Sequence, residues 1–350
     1  MGNKWYYGRD GHLVLARGPA ETDPNLTYTQ EWQRLTGVTH DDGSVLASEQ
    51  FHRGTNGYFQ PGHIRCANPM AGAAILDGRD GVAGIEVHAG MTRARKSYFF
   101  LRDQNAIVTL GSHIQGRGPT ETTLHTFPVS NGPVLVLVGD KPRKLAEGTP
   151  FRVKTPCWIH TVGGGCWLPE MGNVTLLTET RKPDFEDHGN PPPDQQPDVP
   201  PQKFVSITVD HGQNPTGARY AAVLFPLAAA ADMPALARSF ASQCKFRRSD
   251  AGHFLRMGDL TLAAFFQPGS LGEYRADRAC FMAVRRTDQT VRVAAYEPSW
   301  KEARLQIQLP FRAAGTILPG NCRLEGDTLS IEAKPGQPVE CQLAANPHKK

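Results

Sequence analysis

The sequence predicts an all-β protein: a large multi-sheet antiparallel β-sandwich over residues 1–230, a linker with a short helix over 231–244, and a small β-sandwich over 245–350. Three observations carry this. Short β-type runs recur along the chain, Gly, Pro, Asn and Asp stand between them as turn formers, and helical periodicity shows at one place only.

The runs come in order. "ARKSYFFLRDQNAIVTLGSHI", residues 94–114, reads as a hairpin turning at Asp103-Gln104-Asn105. Side chains alternate along a strand, so Ser97, Phe99 and Leu101 take one face and Tyr98 and Phe100 the other. Both faces are largely apolar, and such a hairpin needs a cover on each side. Further strands follow at "PVLVLVG", "CWIHTV", "NVTLLTET", "FVSITV", "YAAVLF", "LTLAAFF", "CFMAVRR", "VRVAAY", "RLQIQL" and "TLSIEA". The run "VGGGCW", residues 162–167, lacks the Lys-Ser/Thr and the helix of a phosphate loop and reads as a hairpin turn. "DMPALARSFASQ", residues 232–243, is the helix, with Asp232 as N-cap, Pro234 in the first turn, and Met233, Leu236, Ala237 and Phe240 on one face. Residues 182–202, "KPDFEDHGNPPPDQQPDVPPQ", are proline-rich and acidic and read as an exposed loop, because proline has no N–H to give a ladder.

A formal net charge of +4 with scattered Lys and Arg gives nucleic-acid binding little support, while a modest basic excess suits an acidic polymer. The longest apolar stretch, "YAAVLFPLAAAADM", is too short and alanine-rich to span a bilayer, so no membrane span is expected. The amino terminus shows no basic region followed by an apolar core, so no secretory signal is visible. Seven cysteines, an odd number without a CxxC pair, read as mostly buried apolar residues rather than a disulfide framework or zinc site. His40, His52, His63 and His88 lack the spacing of a metal site, and no metal or other cofactor is expected. No GxSxG nucleophile elbow and no paired carboxylates stand out.

An ordered series of segments resembles the β portion of polysaccharide lyase family 8, the hyaluronate, chondroitin and xanthan lyases. "NKWYYGRDGHLVL" is similar to the family's Gly-Trp-Tyr-x-Gly-Asp-Gly opening, with Arg9 inserted before Asp10. "EWQRLTGVT" resembles Trp-x-x-x-Pro-Gly-Thr-Thr, with Thr36-Gly37 where the family has Pro-Gly. "RGTNGYFQPG" resembles its Gly-Ser-Asn loop, the hairpin its Lys-Ser-Trp-Phe element, and "VDHGQNPTGARYAAVLFP" its His-Gly-x-x-Pro segment. The resemblance covers about residues 3–226 and implies a galactose-mutarotase-like supersandwich followed by a small β-sandwich.

The resemblance also implies function. The family cleaves uronate-containing polysaccharide by β-elimination, and most of its catalytic residues lie on an N-terminal α/α toroid that this sequence does not contain. The chain alone is therefore expected to be incomplete and inactive, with the toroid, on the same or a separate chain, and an acidic polysaccharide as partners. The family's loop asparagine matches Asn56, a supporting catalytic residue that donates to the substrate carboxylate or to a neighbouring catalytic group, with His52, Arg53 and Tyr58 as substrate contacts. The bland alternative is that Gly54-Thr55-Asn56-Gly57 is only a turn. The family's glutamate just before this loop is replaced by His52, Arg53 or the slightly upstream Glu49. His211-Gly212 belongs to a strand-end motif and reads as structural. Localisation by resemblance is secreted or periplasmic. A stand-alone carbohydrate-binding or scaffold module without catalysis is the competing reading.

Overall fold

A computed structural model describes residues 11–15, 24–41, 68–89, 91–170, 172–185 and 192–345. It is nearly all β, and the described strands form four antiparallel sheets. In spatial order, the first has five strands: Thr39–Asp41, Pro119–Val129, Gln202–Gln213, Asn173–Arg181 and Phe151–Val153. The second has nine: Met70–Leu76, Asp80–Ala89, Thr92–Leu101, Ala106–Gln115, Thr216–Phe225, Gly164–Leu168, Cys157–Thr161, Val134–Val138 and Lys141–Leu145. The third has seven: Cys244–Ser249, Gly252–Met257, Leu260–Phe265, Cys280–Arg286, Thr290–Tyr296, Val339–Ala345 and Ala313–Ile317. The fourth has five: Gly269–Leu271, Tyr274–Ala276, Ala303–Gln308, Thr328–Ala333 and Cys322–Glu325. The α-helix Met233–Gln243 buries Met233, Ala237 and Phe240, on the face its spacing predicts.

The chain divides into two compact units, one holding residues up to Asn68, Val87–Ala94 and His113–Pro234, the other Pro69–Glu86, Arg95–Ser112 and Ala235 onward. In the first, the five-stranded sheet faces the Cys157–Thr161/Gly164–Leu168 hairpin. The "VGGGCW" run is the turn of that hairpin, and a Cβ on Gly163 would sit 2.6 Å from the Phe127 ring, so only glycine lets the two layers approach there. Met233 fills the space over Gly165 in the same way. The proline-rich segment joins two strands that pair with each other, Asn173–Arg181 and Gln202–Gln213. One end of the nine-stranded sheet is Lys141–Leu145, whose first four residues are exposed.

In the second unit the seven-stranded sheet is the middle layer, which explains why "LTLAAF" is buried at every position. One face meets the fourth sheet around Phe265, Met282, Val293, Leu305, Leu329 and Ile331. The other covers the 94–114 hairpin. His253, fully buried, has Nδ1 2.8 Å from Ser97 Oγ and Nε2 2.8 Å from Ser112 Oγ, one serine from each arm of the hairpin. Phe281 stands against Gly84 and Tyr296 against Gly72, where any Cβ would collide with the ring. The hairpin thus finds one cover inside the chain. It turns through Arg102–Gln104, and Asn105 takes the left-handed conformation at φ 45° that asparagine tolerates.

An ionic cluster ties the Asp77–Asp80 turn to this middle sheet. Arg285 Nη2 lies 2.5 Å from Asp80 Oδ2, while Asp80 Oδ1 accepts the Arg102 N–H at 2.9 Å. Arg292 pairs with Asp77 and with Glu340, the latter at 2.5 Å.

His12 gives the first unit a pH dependence. Burial pushes its pKa down to about 4 from 6.5, so folding favours the neutral ring. The unfolded chain binds the extra proton between those values, and stability is lost as pH falls from about 6.5 to about 4, by about 3 kcal/mol at most. Urea unfolding at several pH values checks this: His12→Asn should flatten the profile across that window.

Candidate functional site

The predicted site residues His52, Arg53, Asn56 and Tyr58, with Glu49, lie outside the described residues. What the structure describes is the root of the segment that carries them. Before it runs "EWQRLTGVTHD", a 3-10 turn Trp32–Arg34 followed by the strand Thr39–Asp41. After it comes Asn68, whose Oδ1 accepts the His88 N–H at 2.6 Å.

Charge clamps the leading root. Arg34 Nη1 lies 2.9 and 2.8 Å from the two carboxylate oxygens of Glu179, with Glu31 and Glu121 each at 3.6 Å. Burial works against the Arg34 charge, yet Glu31, Glu179 and Glu121 together hold its pKa above the ordinary value. Arg181 stacks over Phe204 at 4.7 Å and reaches Glu179 at 3.4 Å and Glu31 at 3.7 Å. Burial outweighs those carboxylates and lowers its pKa, with the like charge of Arg34 adding to the shift. Glu121, raised mainly by burial and secondarily by Asp210 against the pull of Arg34, also faces His40 Nε2 at 3.4 Å.

Arg34 is occupied within this cluster. A guanidinium already shared among three carboxylates has little left to offer a substrate anion, so the cluster acts as a clamp that fixes the 3-10 turn to the sheet and so sets where the next segment departs. The next residues continue the polar ladder inward: Thr39 Oγ1 is 2.6 Å from Thr122 Oγ1, which is 2.8 Å from His211 Nε2. Asp41, fully buried, accepts the Arg117 N–H at 2.7 Å. His211 therefore sits in a threonine network on the sheet. Sequence reasoning missed Arg34 and Glu179 because they lie 145 residues apart, and no local spacing announces such a pair.

Among the described residues, no group of three or more His, Cys, Asp or Glu side chains could hold a metal ion, and no helix is long and apolar enough to cross a membrane.

Comparison with known proteins adds the rest. Residues 3–237 match the model of the polysaccharide lyase family 8 super-sandwich domain. The chain is 26% identical over 214 residues to a chondroitinase-AC of Pedobacter heparinus, covering 61% of this chain and 28% of the relative. It is 26% identical over 306 residues to a hyaluronate lyase of Thermasporomyces composti, covering 76% of this chain and 37% of that protein. The chain thus spans well under half the length of these curated relatives. Among solved structures, a Paenibacillus xanthan lyase superposes with a TM-score of 0.79 at 20% identity, over 94% of this chain and 32% of that one. A Streptomyces coelicolor A3 chondroitin AC lyase in complex with chondroitin sulphate superposes at 0.70 and 21% identity, over 95% of this chain and 43% of that one. At those identities the superpositions establish the fold.

Proposed function

This chain belongs to polysaccharide lyase family 8, and we propose on that premise that it is the β portion of an enzyme that cleaves a uronate-containing polysaccharide, of glycosaminoglycan or xanthan type, by β-elimination. The observation that carries the reading is the super-sandwich match over residues 3–237.

In such a reaction a base removes the C5 proton beside the uronate carboxylate, the O4 glycosidic bond breaks, and an acid protonates the leaving oxygen. The C5 proton is weakly acidic, so donors must offset the carboxylate charge as the carbanion develops. In our reading Asn56 is one such donor, a neutral amide that aids the carboxylate without the cost of burying a second charge. His52, Arg53 and Tyr58 contact sugar from the same loop. The base and the acid come from an α/α toroid, on the same or another polypeptide, and the clamp around Arg34 holds the loop's root in register for it. A polymeric substrate does not cross a membrane, so the enzyme acts as a secreted or periplasmic protein.

Elimination creates a C4–C5 double bond conjugated to the carboxylate, which absorbs in the ultraviolet. The purified chain alone should give no growth of that absorbance with hyaluronan, chondroitin or xanthan, and joining it to a family toroid should restore it. Robust activity of the chain alone would place a full site within it. Polysaccharide binding without elimination in the joined protein would favour a binding module instead.

A further inference from the structure

Two buried cysteines of the second unit face each other across its core. Cys322 opens the strand Cys322–Glu325, the edge strand of the fourth sheet, and Cys341 lies within Val339–Ala345 of the seven-stranded sheet. Both belong to the apolar cluster between those two sheets, at 7% and 2% exposure, and their sulfurs are 3.9 Å apart, in van der Waals contact. Of the four other described cysteines, Cys280 lies in the same cluster, Cys244 sits opposite Met257, and Cys157 and Cys166 sit opposite Leu168 and Ile159 rather than opposite each other.

We propose that Cys322 and Cys341 form an oxidative cross-link site, closed into a disulfide by a low-molecular-weight disulfide such as oxidised glutathione, which staples the fourth sheet's edge strand to the facing sheet. The pair is graded for the exchange. The Cys341 thiol donates to Cys322 Sγ and holds the Cys322 thiol below its ordinary value, whereas Cys341 is raised by that same hydrogen bond and by burial. Cys322 is thus the first nucleophile, and its edge strand opens more readily than a central one.

The electrons balance. Cys322 loses its Sγ proton and its thiolate attacks one sulfur of the oxidised glutathione, breaking that S–S bond and releasing one glutathione. Cys341, deprotonated in turn, attacks Cys322 Sγ in the mixed disulfide, forming the protein S–S bond and releasing the second glutathione. Two protein thiols are oxidised and one glutathione disulfide is reduced to two thiols. The bond would close a loop of about 20 residues, a span over which such links stabilise mainly by restricting the unfolded chain.

The test uses the whole chain, unfolded under reducing conditions, refolded in a glutathione redox buffer and quenched with an alkylating agent. We expect a product lighter by two hydrogens before alkylation, two fewer alkylated sites among the seven cysteines, and a proteolytic peptide joining Cys322 to Cys341. Its unfolding midpoint should exceed that of the reduced protein by on the order of 10 °C, a difference abolished by dithiothreitol. The double variant Cys322→Ala/Cys341→Ala should show no redox-dependent midpoint, and its own folding does not decide the matter because the linked peptide is read on the native sequence. A refolded chain with native circular dichroism in which both cysteines stay alkylatable, carry only glutathione, or pair with any of the five other cysteines would overturn the proposal.

Discussion

Replacing Asn56 by alanine, in the chain joined to a family toroid, is expected to lower kcat by about a hundred-fold or more, the usual loss when one preorganised transition-state donor is removed. The unfolding midpoint should hardly move, because a loop amide of this kind contributes little to a core. Asn56→Asp should be at least as damaging. It sets a second negative charge beside the uronate just as carbanion character develops there. Steady-state rates from the ultraviolet absorbance, beside a thermal melt of each variant, separate the two effects. Near-normal turnover in both would reduce Gly54-Thr55-Asn56-Gly57 to a turn and remove the loop from the cleft.

The second large effect is on stability and lies in the second unit. Asp80 is almost wholly buried, pairs with Arg285 at 2.5 Å and accepts the Arg102 N–H at 2.9 Å. Asp80→Ala removes the anion, leaving the Arg102 N–H without its acceptor and Arg285 with only the more distant Asp77 and Asp259, each at 3.6 Å. Breaking a buried pair from one side costs about 3–5 kcal/mol. Asp80→Asn should cost less, since its amide oxygen can still accept from Arg102. Adding Arg285→Met to Asp80→Ala should recover part of the loss, because the guanidinium stripped of its nearest acceptor is then gone. Urea denaturation of these variants and of Arg285→Met alone measures this, and additivity of the two single losses would mean that the pair does not couple.

Much of the fold was legible in the sequence because its signals were local. The runs from "PVLVLVG" to "TLSIEA" are strands, and the 94–114 hairpin turns where its Asp-Gln-Asn predicts. Strands that bury threonine instead of aliphatic side chains escaped notice. Pro119–Val129, "PTETTLHTFPV", is next to an edge of its sheet but reads as a polar loop with two prolines, and yet Thr120, Thr122 and Thr123 are buried at 1% or less. The burial of Thr122 is tolerable because its partners arrive from afar, Thr39 on one side and His211 on the other. The identity of the hairpin's cover was equally out of reach, since His253 meets Ser97 across 156 residues. The site was legible only through resemblance. An asparagine in a glycine-flanked loop has no periodicity to betray a role, and the clamp at its root is assembled from segments that no spacing connects.

The charged border of the nine-stranded sheet bears on how the protein behaves in a crowd. Lys141–Leu145 presents unpaired backbone donors and acceptors on its outer side, the surface on which a stray strand from another molecule would dock. Lys141, Arg143 and Lys144 stand exposed along it, and Pro142 withholds one N–H. A newcomer would have to strip water from three cations. Protection of this border against edge-to-edge pairing thus rests on four exposed residues that contribute almost nothing to the core, beside one, Leu145, that anchors the strand in it.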